Sequence, residues 1–163
     1  MDLEKRISQT LKPLSSFTQE KWSDTEYEIR DVINVNEITV FLRFGKNNTV
    51  LEYHYINPIN YGSLTEKNRQ LVDNCLSIIN TLSPRGKWFL EELEKESPDE
   101  KDLEFLMYKA TWPNTYPPEQ VGSELFNTLL VLGDLYGFIR LFMLSAEDIP
   151  ATNNKEEERN DAT

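Results

Sequence analysis

Leu3, Ile7 and Leu11 recur at every fourth position near the start of the chain, and Pro13 follows them. That spacing predicts a short helix with one narrow apolar stripe, ended by the proline. The period then changes from four to two. The stretch TEYEIRDVINVNEITVFLRFGKNNTVLEYHYINP alternates apolar and polar residues, broken at Asn34-Val35-Asn36 and Gly45-Lys46-Asn47-Asn48, and Pro58 closes it. It predicts a three-stranded antiparallel meander. With Gly45 to Asn48 as the turn, Phe44 faces Thr49, Leu42 faces Leu51, Val40 faces Tyr53 and Ile38 faces Tyr55. One side of this hairpin is then wholly apolar. The other carries Thr39, Arg43, Glu52 and His54, with Phe41 as the exception. A slip of one residue would set the apolar row against the polar one, so the pattern itself selects the register. The first strand joins with Ile33 opposite Ile38 and Ile29 opposite Leu42.

Helical spacing returns after the meander. Ser63-Leu64-Thr65-Glu66 fits a capping box, with Ser63 as the cap. Leu64, Leu71, Val72, Cys75, Leu76, Ile79 and Leu82 form a stripe of helical period, closed by Ser83-Pro84. Lys87–Glu94 and Leu103–Trp112 flank a polar centre, which predicts a β-hairpin and five strands in all. Two short helices compete for the same stretch, because Glu91, Glu92 and Lys95 favour helix. Pro117-Pro118-Glu119 opens a last helix that runs to about Phe142 and is apolar on most sides. The expected fold is α+β: N-terminal helix, three-stranded antiparallel meander, helix, β-hairpin, long C-terminal apolar helix. Residues 1–144 form one domain, and 145–163 a disordered acidic tail without apolar period.

Composition narrows the function classes. The 163 residues carry 28 acids against 17 lysines and arginines, a net charge of -11. Such a chain is repelled by phosphate backbones and anionic membranes, so neither direct nucleic-acid binding nor membrane binding is expected. Leu125 to Leu144 has the length of a membrane span, but Asp134 and Arg140 interrupt it. The N-terminus lacks the apolar run of a signal peptide, and the single cysteine, Cys75, forms no internal disulfide. Both point to the cytoplasm.

Candidate chemistry is sparse. One cysteine and one histidine build no thiol–imidazole zinc site, and no phosphate-cradling glycine motif or nucleophile elbow is present. PDEKDLE lacks the glycine and the spacing of a calcium loop. Cys75 reads as a core residue and His54 as a sheet residue opposite Thr39, so no catalytic, cofactor or metal residues are assigned. The acidity and aromatic content suit protein binding. The last helix offers the surface for a homodimer or a partner, through Leu129, Leu132, Gly133, Leu135, Tyr136, Gly137 and Ile139. Gly133 and Gly137 would permit a close helix crossing.

The meander EYEIRDVINVNEITVFLRFGKNNTVLEYHYI, the stripe LVDNCLSIINTL and the closing DLEFLMYKATWPNTYPPEQVGSELFNTLLVLGDLYGFI together resemble the type III secretion chaperone-like superfamily, including its YbjN-type regulators. The resemblance spans residues 3 to 144. It implies a small, acidic, cytoplasmic, often dimeric protein that binds polypeptide segments and carries no catalytic residues. A non-enzymatic protein-binding module, chaperone-like or adaptor, is therefore expected. The alternative is an acidic inhibitor or immunity-type protein that blocks a basic active site or a nucleic-acid-binding surface.

Overall fold

In the computed structural model the described residues are 2–30, 38–83, 85–92, 94–100 and 103–148, the side chains of 56–59, 136 and 138–148 excepted. Helix α1 (Leu3–Leu11) leads through a short 3-10 turn (Lys12–Leu14) to strands β1 (Thr18–Lys21), β2 (Glu26–Arg30), β3 (Ile38–Phe44) and β4 (Asn48–Ile59). Helix α2 (Glu66–Leu82), strands β5 (Lys87–Glu92) and β6 (Glu104–Pro113), and helix α3 (Pro118–Asp148) complete the chain. The architecture is α+β. Six strands form one antiparallel sheet in the order β1-β2-β3-β4-β6-β5.

The β3–β4 register is the expected one, from Ile38↔Tyr55 to Phe44↔Thr49. Three features of the sheet differ from the sequence reading. Tyr27, not Ile29, stands opposite Leu42. A shift of two residues keeps every side chain on its own face, so hydrophobic parity cannot detect it. Ile33 lies outside the described residues. The sheet also has a sixth strand, β1, whose TQEK sequence carries no apolar signal. Backbone hydrogen bonds to β2 specify this edge strand, not side-chain burial. Finally, β4 continues past Pro58 to Ile59, with a register shift against β6 between Tyr55 and Ile59. A proline is tolerated at such an irregularity.

The stretch 87–113 is a hairpin, which removes the two-helix alternative. The cap of α2 is Thr65, whose hydroxyl accepts from the Asn68 amide at 3.2 Å, while Ser63 lies in a preceding 3-10 turn. The TxxN pattern two residues later wins because Thr65 has the extended backbone that a cap requires. Helix α3 extends to Asp148, beyond the expected end. The remaining 149–163 lie outside the described residues.

The helices cover one side of the sheet. Trp112 Nε1 donates to Glu124 of α3 at 2.7 Å, Asn80 of α2 brackets Trp88 of β5, and Phe17 packs edge-on against Phe126. The core lies between: Val40, Leu42, Leu51, Tyr53, Leu106, Tyr108 and Trp112 from the sheet, Ile7, Val72, Cys75, Ile79, Leu125 and Leu132 from the helices. Cys75 is 1% exposed, and burial pushes its thiol up to about 11, as suits an inert core residue.

Candidate binding face

Because strand side chains alternate, every second residue of each strand projects from the side of the sheet opposite the core. Among the described residues no helix packs there. One cross-strand row traverses all six strands: Glu20, Glu28, Phe41, Glu52, Lys109 and Lys87. A neighbouring row runs through Glu26, Arg43, Val50 and Thr111. On the other side of Phe41 lie Thr39, His54, Met107 and Phe89.

The charges on this face are organised in pairs. Arg30 is shared by Glu20 at 2.8 Å and Glu28 at 2.7 Å. Arg43 bridges Glu26 at 3.1 Å and Glu52 at 2.9 Å. Glu52 is also approached by His54 Nε2 at 3.2 Å and Lys109 Nζ at 3.4 Å. Glu28 and Glu52 are each only 7% exposed, although they stand on the uncovered side. The Arg30 hydrogen bond holds the Glu28 carboxyl below the usual carboxylate range, against burial. For Glu52, burial alone would push the carboxyl up, but Arg43, His54 and Lys109 together outweigh it and hold it low.

Between these pairs sits a concave cleft of about 290 Å3, with Trp22, Glu28, Thr39, Phe41, His54 and Phe105 in its walls. Its lining is mostly apolar. Phe41 is the centre of an edge-to-face aromatic chain, 5.7 Å from Trp22 and 5.6 Å from His54 by ring centroids. Arg43 lies over the Phe41 ring at 5.8 Å. Trp22 is 59% exposed, whereas Trp88 and Trp112 are buried in the core.

The sequence placed Thr39, Phe41, Arg43, Glu52 and His54 on this side, and the structure brings them together. His54 stands opposite Thr39 as expected. Sequence reasoning did not find partners for His54; Glu52 and Phe41 supply them. It also missed Trp22, Glu28 and Phe105, which come from three different strands or strand ends. The available signal was a lone tryptophan in an otherwise polar stretch, TQEKWSD. Among the described residues no cluster of three or more histidine, cysteine, aspartate or glutamate side chains is arranged to hold a metal ion.

Of the residues expected at a helical interface, some serve the chain's own core and others face outward. Leu129 and Leu132 of α3 are buried in the chain's own core, and Leu135 is half-buried against it. Gly133 and Gly137 face open space, with nothing near an added Cβ atom. The close helix contact belongs to Gly122, which meets Thr10 and Pro13. The side chains of Tyr136 and Ile139 lie outside the described residues. Among the described residues no helix is long and apolar enough to cross a membrane.

No protein-family model matches the chain, and no curated protein matches it. Among solved structures it is similar to the crystal structure of YbjN, a candidate transcription regulator from E. coli. The TM-score is 0.51 at 14% identity, over 90% of this chain and 92% of that one. The likeness establishes a YbjN-like fold.

Proposed function

We propose that this chain is a non-catalytic, chaperone-like or adaptor module that binds another polypeptide on the uncovered face of its sheet. The observation that carries this reading is the Trp22–Phe41–Phe105 cleft, apolar and concave, on the one side that the helices leave bare. A folded sheet normally covers both apolar faces or keeps the second one polar. This one keeps a polar frame of salt bridges around an apolar centre, the layout of an interface with a desolvated core and a charged rim. The acidic-inhibitor reading is weaker on this face, because Arg30 bridges Glu20 and Glu28 and Arg43 bridges Glu26 and Glu52, which leaves far less free negative charge than a basic active site would call for. The apolar core of the chain, with Cys75 inside it, requires no disulfide, and we place its action in the cytoplasm.

Selection from a random peptide display library tests the proposal. Peptides that bind the wild-type protein should lose binding to Trp22→Asp and keep it for Ile78→Asp, which alters an exposed residue of α2 on the helical side. The converse result would move the binding surface to the helices. Binding should weaken by less than about tenfold between low and high salt, whereas an inhibitor of basic sites would weaken far more.

A further inference from the structure

We propose that the aromatic cleft takes a single cationic side chain, an arginine or lysine of the bound polypeptide. This rests on the binding-face reading above and names what that face selects. Size is the first argument. The cleft, about 290 Å3, lies at the bottom of the range of roughly 300–1,000 Å3 seen for small-molecule sites. It suits one side chain.

Charge is the second. Glu28 is the charged residue in the cleft wall. Its carboxylate and that of Glu20 share one guanidinium, Arg30, so this group keeps one negative charge in excess. A carboxylate accepts about four hydrogen bonds; Arg30 supplies two of those to Glu28, at 2.7 and 3.1 Å, and the Trp22 indole another. Acceptor capacity therefore remains on Glu28, and the Thr39 hydroxyl adds another acceptor in the wall.

The aromatic rings are the third. A cation over an indole or phenyl face is attracted by the ring quadrupole, most strongly by tryptophan. Trp22 and Phe105 present rings to the cleft, and Arg43 already occupies this kind of position over Phe41. An aliphatic side chain would gain the apolar contact but leave the excess charge unanswered. An acidic one would be repelled by Glu28.

The test uses the full chain and four small probes: the N-acetyl amides of arginine, lysine, citrulline and norleucine. The readouts are the NMR signals of the Trp22 indole N–H and the ring of His54, the single histidine. Arginine and lysine probes should shift both signals saturably, and citrulline and norleucine at least about tenfold more weakly. Trp22→Leu should abolish the shift of the His54 ring, with the thermal melt showing that the fold is kept. Glu28→Gln should weaken it, and if that variant does not fold the Trp22 variant decides. Equal binding of citrulline or norleucine would overturn the inference. So would the absence of any shift while a display-selected peptide still binds through Trp22, a result that leaves the binding-face reading standing. Peptide binding that is indifferent to Trp22 would instead remove that reading and the inference with it.

Discussion

His54 Nε2 stands 3.2 Å from Oε2 of Glu52, two positions back on the same strand. The same carboxylate oxygen is held by Arg43 at 2.9 Å. His54 is thus one of several donors to a buried acid, and its ring packs edge-on against Phe41. Because Arg43 and Lys109 remain, His54→Ala should lower stability by about 1 kcal/mol or less. Urea unfolding measures this. A loss several times larger would mean that the imidazole is the principal partner of Glu52.

The carboxyls of Glu28 and Glu52 are held below their ordinary range in the folded chain. Their pairing stabilises the fold fully above the unfolded carboxylate value and is lost as pH falls through the lower, folded value. Wild-type stability should therefore decline below about pH 5. Glu52→Gln should be less stable at neutral pH, because Arg43 and Lys109 lose their partner, and should decline less steeply in acid. Unfolding free energies measured across that range check the sign. An acid decline as steep in the variant as in wild type would contradict it.

Gly122 and Gly133 make opposite predictions on one helix. A Cβ at Gly122 would drive into the Thr10 carbonyl oxygen and lie 2.9 Å from Pro13 Cδ, so α1 and α3 would have to separate. Gly122→Ala should cost about 1–3 kcal/mol. At Gly133 nothing lies within 4 Å, and Gly133→Ala should gain up to about 1 kcal/mol from helix propensity. Thermal melts of both variants decide. A destabilised Gly133→Ala protein, with a change of mass in light scattering, would instead put Gly133 in contact with a second copy.

Glu124 ties the last strand to the last helix. Its carboxylate accepts from Trp112 Nε1 at 2.7 Å and from Arg85 at 2.9 Å, while Arg85 also lies over the rings of Trp112 and Tyr116. Trp112 is fully buried. Glu124→Ala should leave the indole N–H without its acceptor, at a cost of about 1–3 kcal/mol. Tryptophan fluorescence during denaturation follows it. A cost near zero would show that the indole finds another acceptor.

The sheet core was legible in the chain because Ile38, Val40, Leu42 and Phe44 alternate with residues such as Arg43 that resist burial. That parity fixes the β3–β4 register, since a one-residue slip reverses the faces. It is silent on the two-residue shift that brings Tyr27 opposite Leu42, and on β1, where Thr18–Lys21 has no apolar residue to reveal a strand. The proposed binding face was half legible. Arg43, Glu52 and His54 share it by alternation within one hairpin. Trp22, Glu28 and Phe105 reach the cleft only through the pairings of β1 with β2, β2 with β3 and β6 with β4, whose exact registers no local pattern encodes. Helix α3 was ambiguous for a related reason. Apolar residues around most of its circumference suit either the chain's own core or an interface, and only the packing shows that Leu125, Leu129 and Leu132 enter the core.

The most direct test of the binding face is chemical-shift mapping with a display-selected peptide bound to the intact protein. The Trp22 indole, the His54 ring and the Phe41 and Phe105 signals should move together. The methyl groups of Ile78, Leu82 and Leu130, exposed on the helical side, should stay in place. Shifts confined to those methyl groups, with Trp22 and His54 unmoved, would contradict it.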